Sequence, residues 1–209
     1  MTFSRTTPLI LFFAVMILLA RHSYASSVQE GVHYNTLPTP IHTGSDSSRI
    51  VKYFSLSCPP CKQMSKFLPP LEDSTGTRVD KKHVVFNTST RQAAYLYYSA
   101  KEQTSSPVNL SFMAELFDAV QTENTDAERL TTLYKSYGLQ APGKLNNTQM
   151  QSVSNQIEQI ESIMKVSSIS AIPAFVVDGK YLINLEGHGG LQGLVNTMNY
   201  LLTLSEPTI

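Results

Sequence analysis

Pro59 and Pro60 separate the only two cysteines of the chain, Cys58 and Cys61, in the stretch FSLSCPPCKQMSK (residues 54–66). Proline holds φ near −65° and lacks an N–H, so such a pair fits neither a central strand nor the middle of a helix. It fits the first helical turn, where the missing N–H would be unpaired anyway. Just upstream, Arg49 to Ser55 (RIVKYFS) alternates and is rich in β-branched and aromatic residues, which predicts a strand. The local fold is thereby constrained to strand, tight turn and helix. The helix is expected from Pro59 to about Leu68, stopped by Pro69-Pro70.

The chain has 209 residues, and the first two dozen read as an export signal. Arg5 precedes an apolar run from Pro8 to Ala20, and Ser23-Tyr24-Ala25 supplies a small–x–small cleavage site. A membrane helix needs about 20 apolar residues, so the run reads as a cleaved signal peptide over 1–25 rather than an anchor. Removing those 25 of 209 residues leaves 184, enough for one domain with a large insertion. Of 16 basic residues Arg5 and Arg21 leave with the signal, so 14 face 16 acidic ones. That slight negative excess excludes electrostatic binding to nucleic acid or an anionic membrane surface. Exported chains meet an oxidising compartment, where structural disulfides are common. A bridge between residues three apart closes too short a loop to stabilise much, so the cysteines point to chemistry.

Further along, Lys81 to Phe86 (KKHVVF) predicts a second strand. From 89 to 167 the pattern turns helical. Segments are expected over Thr90–Gln103, from Ser106-Pro107 to about Gln121, from the capping-box stretch Thr125–Glu128 to Gly138, and after Asn147. In the last of these, Met150, Val153, Ile157, Ile160 and Met164 form a core stripe. Strands return at Ala174–Val177 and Tyr181–Asn184, joined by Asp178-Gly179 as a two-residue hairpin turn. A final helix over Leu191–Leu204 buries Leu191, Leu194, Val195, Met198 and Leu202. The order implies an α/β sheet carrying a helical insertion.

A thiol attacks a disulfide only as its thiolate, and a helix N-terminus favours that anion. Cysteines so placed have pKa values of roughly 3.5–7.5. Cys58 is therefore the expected nucleophile, and Cys61, one turn on, the resolving partner. Other readings of the pair are weaker. Half of a zinc site lacks a second cysteine pair, and a Cys2His2 set with His83 and His188 departs from the usual His–His spacing. Haem attachment needs histidine where Lys62 stands. No cofactor or metal is implied.

Val51-Lys52-Tyr53-Phe54-Ser55 running into Cys58-Pro59-Pro60-Cys61 resembles the active site of DsbA-type thiol:disulfide oxidoreductases, of thioredoxin-like fold. Residues 31–41 (GVHYNTLPTPI) resemble that family's opening segment, and 81–87 (KKHVVFN) its second core strand. Ala171-Ile172-Pro173-Ala174 through Tyr181 resembles its cis-proline loop and hairpin. The resemblance implies a thioredoxin-like domain split over 26–88 and 168–209, with an inserted helical domain at 89–167. It also implies that Pro173 is cis and lies beside the cysteines, with Ile172 presenting its backbone to an extended substrate. The implied role is periplasmic: a monomer passing its disulfide to reduced, unfolded exported proteins, and reoxidised by a DsbB-like membrane oxidase. A reductase or isomerase would use the same site in the other direction, and a zinc-binding or chaperone-like module is the reading from another class. Two positions depart from the family. Pro60 stands where its oxidising members have histidine, which removes a thiolate partner. Lys52 stands where a buried carboxylate is frequent; it either points at the site and favours thiolate, or snorkels to solvent. With Lys81 on the neighbouring strand, full burial of both lysines is not expected.

Overall fold

The computed structural model describes residues 28–42, 48–104, 107–122 and 126–204. The signal segment 1–25, Ser106 and Thr125 lie outside these. Five strands make one mixed sheet: β1 (Tyr34–Thr36), β2 (Ile50–Phe54), β3 (Val79–His83), β4 (Ala174–Val177) and β5 (Tyr181–Ile183), in the order β1-β5-β4-β2-β3. Only the β2–β3 pair is parallel. A parallel pair needs a crossover, supplied by α1 (Pro59–Ser65) and α2 (Leu68–Thr75).

Here the structure corrects the sequence reading. Pro69 and Pro70 do not end one long helix; they stand in the first turn of α2, where their missing N–H groups cost nothing. β3 also begins two residues earlier than expected and stops at His83, so Val84 and Val85 are buried beyond the strand.

Between β3 and β4 the chain forms α3 (Thr88–Lys101), α4 (Leu110–Gln121), α5 (Ala127–Ser136) and α6 (Asn147–Val166). Their starts follow side-chain caps. Asn87 and Thr90 form a reciprocal capping box on α3, and Asn146 and Gln149 do the same on α6, one residue before the expected cap at Asn147. Asn109 caps α4 and Asp126 caps α5. The α6 stripe is narrower than the pattern implied: Val153, Ile157 and Ile160 are buried, whereas Met150 is exposed.

The hairpin after β4 has a three-residue loop, since Val177 pairs with Tyr181. Asp178 and Gly179 both take positive φ, of 50° and 66°. A Cβ on Gly179 would lie 2.3 Å from the Ile41 carbonyl oxygen. The chain passes this close because Ile41 N–H donates to Gly179 O at 2.7 Å, tying the N-terminal segment to the hairpin. Arg49 grips Asp178 through two bonds of 2.8 and 2.7 Å. The last helix, α7, runs over Leu191–Leu204 as expected, with Leu201 rather than Leu202 fully buried.

The sheet is covered on both faces, which explains why all five β2 residues are buried. Ile50, Val79, Phe175 and Val177 pack with Leu68 and Leu71 of α2 and with Leu194, Val195, Met198 and Leu201 of α7. On the other side Val51, Tyr53 and Val176 share a core with aromatic and aliphatic residues of α3 to α6, among them Tyr97, Phe112, Phe117, Tyr134 and Ile157. The sheet with a helical insertion, expected from the order of elements, is the architecture observed.

Candidate functional site

The turn between β2 and α1 carries the cysteine pair. Cys58 is extended (φ −102°, ψ 106°) and is the N-cap of α1, with Pro59 and Pro60 exposed in the first turn. Two of the N–H groups that a helix start leaves unpaired are therefore missing. The next one, of Cys61, donates to Cys58 Sγ at 3.1 Å, so the prolines leave the sulfur its capping bond. Cys58 and Cys61 are bonded to each other. Their environments differ: Cys61 is 0% exposed, whereas Cys58 is partly exposed. An incoming group thus reaches Cys58 and not its partner.

The segment before β4 comes in beside this pair. The Ile172–Pro173 peptide bond is cis, and Ile172 O lies 3.8 Å from Cys58 Sγ. Both residues are half-buried, so one edge of this backbone stays open next to the sulfur. Sequence neighbours could not place these groups together, as 114 residues separate them.

Lys52 points inward. It is 1% exposed, and Nζ donates to Cys61 O at 3.0 Å and to Ser65 Oγ at 2.8 Å. The register explains the direction, because Lys52 stands opposite Phe175 of β4 and Lys81 of β3 on the face that α1 covers. Burial first, and the nearby Lys81 charge second, lower its pKa to about 7. Lys81 is half-buried, and its pKa is also lowered, chiefly by burial. The expectation that both would not be fully buried holds, with Lys52 the buried one.

The seat of the turn comes from residues without a local signal. His83 is 0% exposed, accepts the Leu56 N–H at Nε2 (2.9 Å), and places Nδ1 2.9 Å from Val84 O. Those partners assign the neutral tautomer with its proton on Nδ1. Burial drives its pKa down to about 3, against a smaller opposing effect of the Val84 bond. From the other side, Gln121 of α4 donates its amide to Leu56 O at 2.8 Å. Leu56 is thus held at both backbone groups two residues before Cys58. Lys62, just after Cys61, pairs with Asp118 of α4, so the helical segment grips the pair from either flank. The histidine looked like an ordinary strand residue in the sequence, and the glutamine like a helix end.

His188 and His33 form a separate pair. His188 bonds Asn184 O and Thr197 Oγ1 and stacks edge-on against His33 at 5.4 Å. Among the described residues no three His, Cys, Asp or Glu side chains come together as a metal site.

Comparison with known proteins places this geometry in context. A family model described as thioredoxin matches residues 36–197. The thiol:disulfide interchange protein DsbA of Salmonella typhimurium is 23% identical over 184 residues, covering 82% of this chain and 84% of that protein. The crystal structure of Pseudomonas aeruginosa DsbA superposes with a TM-score of 0.69 at 17% identity, over 86% of this chain and 95% of the other. A structure of Proteus mirabilis DsbA with a non-covalently bound peptide, PWATCDS, has a TM-score of 0.61 at 18% identity, over 85% of this chain and 99% of that one.

Proposed function

Since this chain belongs to the thioredoxin family, as a DsbA-like thiol:disulfide oxidoreductase, we propose that it introduces disulfides into reduced polypeptides exported to the periplasm. The carrying observation is the asymmetry of the bonded pair: Cys58 is open at a helix N-cap, while Cys61 is sealed beneath it. A substrate thiolate attacks Cys58 Sγ, the bond to Cys61 breaks, and a mixed disulfide forms. A second substrate thiol then attacks its own sulfur in that mixed disulfide. The substrate leaves oxidised and Cys58 leaves as thiolate, held by the Cys61 N–H and the helix start. In the reverse direction Cys61 resolves the mixed disulfide.

The backbone of Ile172, beside cis-Pro173, is our candidate for holding an extended substrate segment opposite Cys58. The peptide bound non-covalently to Proteus mirabilis DsbA supports a polypeptide as the ligand. We assign 26–88 and 168–209 to the thioredoxin-like domain, 89–167 to the inserted helical domain and 1–25 to a cleaved signal. Reoxidation falls to a DsbB-like membrane partner.

The test combines variants with a redox titration. Cys58→Ser abolishes exchange, and Cys61→Ser accumulates mixed disulfides with a reduced unfolded protein; full activity in either variant refutes the assignment. Equilibration with glutathione mixtures gives the direction. A potential well above the roughly −270 mV of thioredoxin supports an oxidase, and one near it supports a reductase.

A further inference from the structure

Lys52 is the group beneath the site that the exchange reaction does not yet use. Its partners suit an amine better than an ammonium. The Ser65 hydroxyl donates to Cys61 O, so Ser65 Oγ has its lone pairs free for Lys52. Two N–H bonds, to that oxygen and to Cys61 O, use both hydrogens of a neutral amine and leave its lone pair open. Beyond these two bonds, the contact given to Nζ among the described residues is the face of the Phe54 ring, 5.8 Å away. No carboxylate lies within salt-bridge distance of Nζ among the described residues.

Groups facing Lys52 come from three elements. From α1 they are Cys61 and Ser65, from β4 the uncharged Phe175, and from β3 Lys81, which feels Glu72, Asp80 and Arg78. Lys81 opposes a charge on Lys52. Only the cysteine pair changes its own charge during the reaction, and the amine is bonded to the backbone carbonyl of its buried member, Cys61.

We propose that Lys52 is a redox-linked proton site, an amine while Cys58 and Cys61 are bonded and an ammonium once they are reduced. The inference rests on the exchange reaction proposed above. Two substrate thiols lose two electrons and two protons as they become a disulfide. The electrons break the Cys58–Cys61 bond. One proton goes to the buried Cys61 thiolate and the second to Lys52, so that the ammonium balances the Cys58 thiolate. Every atom and charge is then accounted for without releasing a proton to solvent. A lysine held at about 7 by burial is free to respond in the neutral range, because a new anion close by favours its charged form. A carboxylate at this depth would respond with the opposite sign.

The experiment compares the pH dependence of the reduction potential in the full-length mature protein and in Lys52→Met, using glutathione mixtures between pH 7.5 and 8.5. The unaltered protein takes up one more proton per two electrons, a slope steeper by about 30 mV per pH unit. Titration of the lysine 13Cε signals in the unaltered protein, oxidised and reduced, covers the case in which the variant does not fold. One signal, retained in Lys81→Met, has its midpoint near neutrality in the oxidised form and moves upward on reduction. Equal slopes, or lysine signals that titrate alike in both redox states, overturn the proposal and leave the exchange reaction standing. A pair that does not equilibrate with glutathione at any pH overturns both.

Discussion

Replacing His83 by phenylalanine should cost stability at neutral pH and cost much less in acid. The ring is fully buried, and its Nε2 is the sole acceptor given to the Leu56 N–H. Phenylalanine keeps most of the volume but orphans that donor and takes the Nδ1–H away from Val84 O, a combined loss of about 1–3 kcal/mol. At pH 7.5 this is the whole difference between the two proteins. Acid adds a second effect to the wild type alone. The folded pKa of about 3 lies below the ordinary 6.5, so the unfolded chain binds a proton that the native state refuses. Stability is therefore complete above 6.5 and is lost as pH falls toward 3. Linkage gives about 2 kcal/mol lost by pH 5. The variant lacks that loss, while every other titrating group is common to both chains. Urea unfolding of the disulfide-bonded proteins at pH 7.5 and 5.0 measures the gap directly. It should narrow by about 2 kcal/mol, bringing the two midpoints close together. A gap of the same size at both pH values would mean that His83 is not a buried neutral acceptor, and the account of how the Cys58 turn is seated would fail.

Two further outcomes follow from the same structure. Lys52→Met should stabilise the oxidised protein at pH 7, and its advantage should shrink by about 3 kcal/mol by pH 9.5. The sign follows from a folded pKa near 7 against 10.5 unfolded, which withholds stability below 10.5 and most fully below 7; thermal melts at the two pH values check it. Gly179→Ala should lower stability by about 2 kcal/mol, because the new Cβ meets the Ile41 carbonyl at 2.3 Å and the residue needs φ of +66°. A melting temperature within a degree of the parent would contradict that.

How far the sequence could be read depended on the range of the forces involved. The strand RIVKYFS, the proline-started helix and the final helix over Leu191–Leu204 were legible, because alternation, φ restriction and apolar spacing act over a few residues. The place of the Asp178-Gly179 turn was legible too, since positive φ at both positions is a local demand, although the loop takes three residues and not the expected two. Boundaries set by competition between neighbours were read less well. Pro69-Pro70 stops one helix or starts another with equal local merit, and packing of Leu68 and Leu71 under α7 decided for a start. β3 was displaced because its limits come from the parallel register with β2, which local pattern does not encode.

The sequence by itself determined the thiol chemistry: two cysteines at a helix start after a strand, with the proline loop at Pro173 placed beside them only by resemblance. It left Lys52 poised between solvent and site. Only the tertiary structure decided that question, by setting Lys52 between Phe175 and Lys81 on the face that α1 closes over. It likewise brought His83 and Gln121 onto the two backbone groups of Leu56 across 27 and 65 residues. Local propensity fixes where the backbone turns. The charge and solvation of a side chain depend on what long-range packing places against it, and here that packing sets the environment of the cysteine pair.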